Sequence, residues 1–204
     1  MTEQVLTLEK DSRIRRALAS DIERMQNIER AAGAPFAEIG MLAVAEDDPP
    51  AASEFAAAIS RGLCWITTIG DHPGDATPVA YLLAGLVDGT LHIEQVSVHP
   101  LAARHGLGAA LIAEAEREAV RRGIAELTLT TFMDVPWNAA YYRRLGFDVL
   151  PEAELGPDLG ARRLAEATHE LDRWPRVAMS RAVRYREAVP AGKRIGVAPR
   201  SQRA

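Results

Sequence analysis

The chain has a single cysteine, few aromatic residues, no excess of basic charge and no long apolar run. Cys64 is the only cysteine among 204 residues, so an internal disulfide is impossible. No segment approaches 18 continuous apolar residues, and the first residues lack the apolar centre of a signal peptide. The net charge of -4 excludes the basic field that general nucleic-acid binding needs. We therefore expect a cytoplasmic protein that binds neither membrane nor nucleic acid.

The composition that is present is typical of a folded globular domain. Hydrophobic residues make up 48% of the chain and charged residues 25%, and the length suits one domain of ordinary size. We predict a flexible N-terminus over residues 1–12 and one folded domain over 13–183. Residues 184–204 carry six basic side chains and one acidic side chain, and we expect this basic tail to be disordered.

The pattern of apolar residues predicts an alternation of strands and helices. Strands are expected at 14–18, 63–69, 79–87, 91–98, 124–132, 147–150 and 176–183, and helices at 20–33, 53–62, 107–122, 137–145 and 161–173. Asp88-Gly89 predicts a tight hairpin, and Ala34-Pro35 is expected to end the first helix. Hairpins followed by one crossover helix predict an α/β fold with a mixed, mostly antiparallel sheet of six to seven strands flanked by helices.

The segment that follows the strand predicted at 91–98 has the pattern of an anion-binding site. After this strand comes a short basic loop, and then Gly106 and Gly108 at the beginning of an amphipathic helix. The first N–H groups of a helix have no internal partner, and glycine lets a phosphate approach them closely. Arg104 and His105 add positive charge. We call residues 104–109 the glycine loop and expect a phosphate-bearing ligand there.

Two common nucleotide motifs do not fit the glycine loop. A P-loop needs Gly-Lys-Ser/Thr where this chain has Ala109-Ala110, and a dinucleotide fingerprint needs a third glycine where Leu111 stands. The ligand is therefore expected to be a different phosphate compound.

The strand before the glycine loop breaks the alternation of a regular strand. Apolar residues stand at 91 and 93 and then at 96 and 98, so they would face opposite sides of a sheet. One extra residue near Glu94-Gln95 restores a common face, which predicts a β-bulge. The alternative is a strand buried on both faces without a bulge.

Three segments together resemble the GNAT superfamily of acyl-CoA-dependent N-acyltransferases. They are Val96-x-Val-x-Pro, the Gly-x-Gly helix start and Tyr142-Arg-Arg-Leu-Gly-Phe147, and the resemblance spans residues 13–183. It implies a GNAT-like sheet with a splayed strand pair at the cofactor site. It also implies transfer of an acetyl group from acetyl-CoA to a primary amine by direct attack. A non-catalytic acyl-CoA-binding or regulatory module on the same fold is the alternative.

The resemblance assigns coenzyme A contacts to three places. The backbone of Val96, Ser97 and Val98 would contact the pantetheine and acetyl groups. The glycine loop would hold the pyrophosphate, through Arg104, His105, Gly106, Leu107, Gly108 and Ala109. Asn138 would contact the cofactor, with helix N-capping as the alternative. The chain departs from the family at Ala103, where the family has Gln or Arg, which puts normal cofactor affinity in doubt.

Amine acylation needs a base for the amine and a proton donor for the leaving thiolate. The resemblance makes Tyr142 the donor; Tyr141 points about 100° away on a helix, so only one of the two faces the thioester. Glu94 at the predicted bulge is the candidate base, directly or through water, and His92 is a second candidate. No histidine has metal-ligand spacing with Cys64 or an acid cluster, so no metal is expected.

The acceptor amine is the least determined part of the prediction. In the family its pocket is built by the first two helices and their loop, here about residues 31–51, and by late strands. Four acids lie in this stretch: Glu38, Glu46, Asp47 and Asp48. They form either an acidic surface loop in contact with solvent or a negative field that attracts a cationic amine. Both a small-molecule amine and a protein amine remain open, as does the acyl preference. The resemblance also allows a homodimer, which nothing in the sequence fixes.

Overall fold

One mixed sheet of seven strands, with helices on both faces, forms the described part of the chain. The structure is a computed structural model and describes residues 12–70, 76–168 and 173–184. The strands are β1 (Ser12–Arg16), β2 (Cys64–Ile69), β3 (Thr77–Val87), β4 (Thr90–Val98), β5 (Glu126–Phe132), β6 (Asp148–Leu150) and β7 (Arg176–Ala182). The helices are α1 (Ile22–Glu38), α2 (Leu42–Ala45), α3 (Ala52–Ser60), α4 (Leu107–Arg122), α5 (Ala139–Arg144) and α6 (Pro157–Thr168).

The strands lie in the order β1-β2-β3-β4-β5-β7-β6, and β4 and β5 form the parallel pair. The other neighbours in the sheet are antiparallel. A parallel pair needs a crossover connection, and α4 supplies it between β4 and β5. The predicted mixed, mostly antiparallel sheet is confirmed.

Two apolar clusters bury the two faces of the sheet. On one face, α4 places Leu111 and Ala115 against Leu82, Leu91 and other strand residues. On the other face, α1 and α3 pack their apolar stripes against β2 and β3, with Met25, Ile28, Phe55 and Tyr81 in the cluster. The helical spacing seen in the sequence thus decides which side chains face the sheet. β3 and β4 therefore have one side toward α4 and the other toward α1, whereas Ala178 of β7 packs against Leu159 of α6.

The hairpin predicted at Asp88-Gly89 joins β3 and β4. Asp88 has φ of 48° and Gly89 has φ of 78°, the pair of positive φ values that a type I′ turn requires. α4 also ends as predicted, because Gly123 adopts the left-handed conformation with φ of 69° just after Arg122.

The predicted end of the first helix is wrong. Pro35 lies inside α1, which continues to Glu38, and the short helix α2 follows it. Proline removes one backbone N–H, but its fixed φ is compatible with a helix. Packing of the next residue compensates, because the Phe36 ring lies 5.8 Å from the Phe132 ring and 5.5 Å from the Trp137 ring. Tertiary contacts therefore override the local stop signal.

The last helix starts earlier than predicted, at Pro157 rather than near residue 161. Proline favours the first helical position, where its missing N–H has no helical partner. The prediction extended this helix through residues 169–172, which lie outside the described residues. Most of the predicted flexible N-terminus (residues 1–11) and of the predicted basic tail (residues 185–204) also lies outside them. Within the described ranges, no helix is long and apolar enough to cross a membrane.

Candidate active site

The predicted β-bulge lies in β4 at Glu94. Leu83 of β3 pairs with Gln95 and Ala84 pairs with Ile93, so Glu94 is the extra residue. The bulge restores one face, because Leu91, Ile93, Val96 and Val98 all pack in or against the cluster under α4. The prediction is confirmed, and the strand buried on both faces without a bulge is excluded.

Beyond the bulge, β4 and β5 separate. Their pairing covers Leu91–Ile93 and Leu127–Leu129, and among the described residues it ends there. Residues 94–98 of β4 and 130–132 of β5 therefore border a gap in the sheet, which we call the strand opening. The splayed strand pair expected for this fold is present.

The backbone of β4 presents polar groups to the strand opening. The His99 N–H donates to the Val79 carbonyl at 2.8 Å, and Tyr81 pairs with Ser97. In an antiparallel ladder, alternate residues direct their N–H and C=O groups to the neighbouring strand. Ser97 and His99 thus face β3, while the N–H and C=O groups of Val96 and Val98 point toward the strand opening.

The glycine loop forms the start of α4. Gly106 occupies the N-cap with φ of 71°, a left-handed conformation that favours glycine, and the Ala110 N–H donates to its carbonyl at 3.0 Å. Helix geometry leaves the N–H groups of Leu107, Gly108 and Ala109 without an intrahelical acceptor. Arg104 is also left-handed, with φ of 67°, which is uncommon outside glycine. Arg104 and His105 are exposed, so the Arg104 guanidinium and the His105 ring are both accessible to a ligand.

The two neighbouring tyrosines take different positions. A Cβ added to Gly108 would lie 2.9 Å from the Tyr141 hydroxyl, so Tyr141 covers the start of α4. Tyr142 instead packs its ring 5.9 Å from Phe147. Burial raises the pKa of both hydroxyls, and for Tyr142 the neighbouring Tyr141 raises it further. Both hydroxyls are therefore protonated and neutral at physiological pH.

Glu94, the base predicted from the sequence, forms an ion pair with Arg162 of α6. A Cβ on Gly85 would lie 2.5 Å from the Glu94 Oε1 atom, so the absence of a side chain at Gly85 makes room for this carboxylate. Burial raises the pKa of Glu94, and Arg162 partly offsets that increase. The carboxylate is thus directed toward α6 and held by a cation.

His92, the second candidate base, is 2% exposed and lies inside the protein. Its Nδ1 atom is 3.0 Å from the Thr128 Oγ1 atom. Burial lowers the pKa of His92 to about 4, so the ring is neutral at pH 7. An amine has no direct access to a side chain this deeply enclosed.

A third carboxylate, Glu29 of α1, was missed as a site residue by sequence reasoning. Its Oε2 atom accepts hydrogen bonds from the Tyr81 and Ser97 hydroxyls, each at 2.5 Å, and its Oε1 atom accepts one from Gln95 Nε2 at 2.7 Å. Burial raises the pKa of Glu29, and the two hydroxyl hydrogen bonds partly oppose the increase. The sequence feature that could have identified Glu29 is its position: it is an acid on the buried, apolar side of α1, one helical turn after Met25.

Asn138 stands at the N-cap of α5, and its carbonyl accepts from the Tyr141 and Tyr142 N–H groups at 2.8 and 3.1 Å. Its side chain makes no capping hydrogen bond to the described residues. The side-chain N-capping alternative is therefore not realised, and its role toward a cofactor stays a prediction.

An aromatic cavity lies where β5 ends and β7 begins, beside the connection between α1 and α2. Its volume is about 180 Å³, and Met41, Phe132, Val135 and Trp174 are among the lining residues. Asp134 gives it one acidic side chain. Trp137, which is 41% exposed, packs edge-on against Phe36, and the Phe36 ring in turn packs against Phe132 of the cavity lining.

The acids predicted to attract an amine, Glu38, Glu46, Asp47 and Asp48, are all exposed. Asp47 also raises the pKa of Glu29, so its charge acts on the buried carboxylate.

In the described ranges, no group of three or more His, Cys, Asp or Glu side chains is arranged to hold a metal ion.

The family model for the acetyltransferase (GNAT) family matches residues 25–147, more than half of the chain. The chain belongs to the GNAT family. The matched range includes the bulge, the glycine loop and the α5 tyrosines, which are the segments that carried the resemblance in the sequence. The predicted family and the predicted GNAT fold are both confirmed.

Solved GNAT structures share this fold at low sequence identity. The PaiA N-acetyltransferase of Thermoplasma acidophilum, in complex with coenzyme A, is 16% identical with a TM-score of 0.59, over 84% of this chain and 98% of that one. The ribosomal-protein-S18-alanine N-acetyltransferase of Escherichia coli is 20% identical with a TM-score of 0.57, over 91% and 99% of the two chains.

A third similar structure is N-acetylglutamate synthase from Neisseria gonorrhoeae, complexed with coenzyme A and N-acetyl-glutamate. It is 19% identical with a TM-score of 0.60, over 85% of this chain and 35% of that one. At these identities the similarity shows the GNAT fold alone.

Proposed function

We propose that this GNAT protein transfers an acetyl group from acetyl-CoA to a primary amine. The observation that carries the proposal is the continuity of the glycine loop with the strand opening. A Cβ on Gly108 would lie 3.9 Å from the Val98 side chain, so the helix start and the opened strand meet. Such a site offers donors for a phosphate at one end and for a carbonyl oxygen at the other.

The residues present fit coenzyme A. The free N–H groups of Leu107, Gly108 and Ala109, together with the helix dipole, would hold the pyrophosphate, and Arg104 and His105 would add charge. Because these contacts would be mainly with backbone N–H groups, Ala103 in place of Gln or Arg would weaken or alter coenzyme A binding without removing the cradle. The backbone of Val96 and Val98 would receive the pantetheine arm and the acetyl oxygen. Acetyl-CoA, when bound, supplies an acetyl group activated as a thioester.

The proposed reaction is direct attack by the neutral amine. Tyr142 would protonate the leaving sulfur, since its hydroxyl is kept protonated by burial. A nucleophilic cysteine has no support: Cys64 is 1% exposed, and its Sγ atom lies 3.7 Å from Met25 Sδ. Burial raises the pKa of the Cys64 thiol to about 12, so almost no thiolate forms at pH 7.

Cys64→Ala is therefore expected to leave kcat within about threefold of the wild-type value, since the change removes one small buried side chain and no reacting group. The measurement is steady-state thiol release at saturating acetyl-CoA. An acetylated Cys64 in the intact mass of protein incubated with acetyl-CoA alone would contradict direct attack.

The acceptor amine would approach from the side of α1 and α2. Exposed acids there favour a cationic amine, and the cavity lined by Phe132 and Trp174 suits an apolar group of that molecule. A cavity of about 150 Å³ accepts a benzene ring, so the 180 Å³ here has room for a small ring or branched alkyl group.

Acetyl-CoA-dependent thiol release with a panel of amines tests the proposed function. The panel includes polyamines, aromatic and aliphatic amines, amino acids and peptides with free N-termini or lysines. We expect release that depends on the amine, with an acetylated product in the mass spectrum. Coenzyme A binding in calorimetry without turnover of any amine would favour the non-catalytic binding module instead.

A further inference from the structure

The Glu29 carboxylate lies beside the part of β4 that borders the strand opening. It accepts hydrogen bonds from Gln95 and Ser97, the two residues on either side of Val96. Side chains at 95 and 97 project toward α1, while those at 96 and 98 project toward α4. Since the Val96 N–H faces the strand opening, Glu29 is next to the backbone proposed to receive the acetyl group.

Tyr142 flanks the same region from the other face of the sheet. Its ring packs against the cluster under α4, which contains Phe147. The Glu29 charge is near enough to raise the pKa of the Tyr142 hydroxyl, although burial and Tyr141 have larger effects. A carboxylate and a neutral hydroxyl thus flank the strand opening from opposite faces, as an acid–base pair around a reacting thioester requires.

The surroundings of Glu29 suit a base better than those of Glu94. Every hydrogen-bond partner that the described residues give Glu29 is neutral: two hydroxyls and one amide. These donors orient the carboxylate without neutralising its charge. Glu94 is paired with the Arg162 cation, so taking up a proton there would cost the energy of that ion pair.

We propose that Glu29 is the general base that removes the proton from the acceptor amine. The inference rests on the proposed N-acetyltransferase function. The acceptor ammonium gives one N–H proton to the Glu29 carboxylate, and the freed lone pair forms the C–N bond. As the C–S bond breaks, sulfur keeps the electron pair and takes the Tyr142 proton. The surplus proton of the new amide nitrogen returns to Tyr142, and Glu29 releases its proton to water.

Glu29→Gln keeps the size and the hydrogen-bonding oxygen of the side chain but removes its basicity. We expect kcat to fall at least about 100-fold, because general-base catalysis contributes that much or more. The Kd for coenzyme A is expected to stay within about threefold, since Glu29 is on the α1 side and away from the glycine loop. Glu94→Gln is the matched control, and its kcat should fall less than tenfold.

The pH dependence gives a second readout. Protonation of Glu29 should produce the acidic limb of kcat against pH, and this limb should be lost in Glu29→Gln but kept in Glu94→Gln. The titratable groups that act on Glu29 are Tyr81 of β3, Asp47 of the segment after α2, and Tyr142 of α5. The two tyrosine hydroxyls titrate far above the acidic limb.

The free protein supplies a readout that needs no turnover. Because burial raises the pKa of folded Glu29 above the unfolded value of about 4.3, the folded state binds the proton more tightly. The stability from this group is full below about pH 4.3 and is lost as pH rises through the folded pKa. Denaturant unfolding of wild type and Glu29→Gln should therefore differ by an amount that changes with pH in this window.

The outcomes separate the two proposals. If wild type turns over an amine and Glu29→Gln matches it in kcat and acidic limb, the role of Glu29 is overturned while the enzyme function stands. Loss of the acidic limb in Glu94→Gln, with Glu29→Gln unchanged, would likewise assign the base to Glu94. If wild type binds coenzyme A and turns over no amine, both proposals fall.

Discussion

Tyr142→Phe is expected to lower kcat at least about 100-fold while the KM for acetyl-CoA changes little. The substitution removes only the hydroxyl, so the packing of the ring against Phe147 is kept. The expected loss is therefore a loss of proton donation to the leaving sulfur. Steady-state kinetics with the best amine of the panel measures it.

Tyr141→Phe is the matched control for this prediction. The two residues are adjacent and both lose one hydroxyl, but the Tyr141 hydroxyl lies at the start of α4 beside Gly108. Its removal should change the coenzyme A affinity by less than about tenfold, the range of one hydrogen bond, and leave kcat nearly unchanged. Equal losses of kcat in both variants, or a larger loss in Tyr141→Phe, would contradict Tyr142 as the donor.

Gly106→Ala is expected to weaken coenzyme A binding at least about tenfold, which corresponds to about 1.4 kcal/mol. Gly106 has φ of 71° and open space around the Cβ position, so the added methyl group meets no neighbour. The cost is in the backbone, because the left-handed conformation costs an L-residue about 1–2 kcal/mol. Relief of this strain would turn the N–H groups of the glycine loop away from the pyrophosphate. Calorimetric titration with coenzyme A measures the effect.

Gly123→Ala separates binding from stability. Gly123 caps the other end of the same helix with φ of 69°, and it also has open space at the Cβ position. Both variants should lose a similar amount of unfolding free energy, but Gly123→Ala should bind coenzyme A like wild type. Equal weakening of coenzyme A binding in both would mean that helix stability, and not the glycine loop, controls affinity.

Much of the proposed coenzyme A site was predictable from the sequence, because its signals are local. The bulge at Glu94 follows from the shift of apolar residues between 93 and 96, since side chains alternate along a strand. The hairpin at Asp88-Gly89 and the helix start at Gly106 follow from backbone conformations that few residues adopt. The strand opening came from the family resemblance alone.

The positions of the Tyr141 and Tyr142 rings could not be predicted from the sequence of α5. Helix geometry shows that the two side chains diverge by about 100°, and the family motif selected Tyr142. The structure adds where each ring lies: Tyr141 at Gly108 and Tyr142 against Phe147. The direction of a helix face depends on what it packs against, which the sequence of the helix does not contain.

The sequence by itself determined the fold class, the bulge, the glycine loop and the family. Only the tertiary structure decided the surroundings of the carboxylates: Arg162 pairs with Glu94 from 68 residues away, and Gln95 reaches Glu29 across 66 residues. Strand alternation, turns and helix starts follow from neighbouring residues and backbone sterics. The proton affinity of a side chain instead follows from burial and from charges that the fold brings together. The sequence therefore favoured Glu94 as the base, whereas the contacts in the folded sheet favour Glu29.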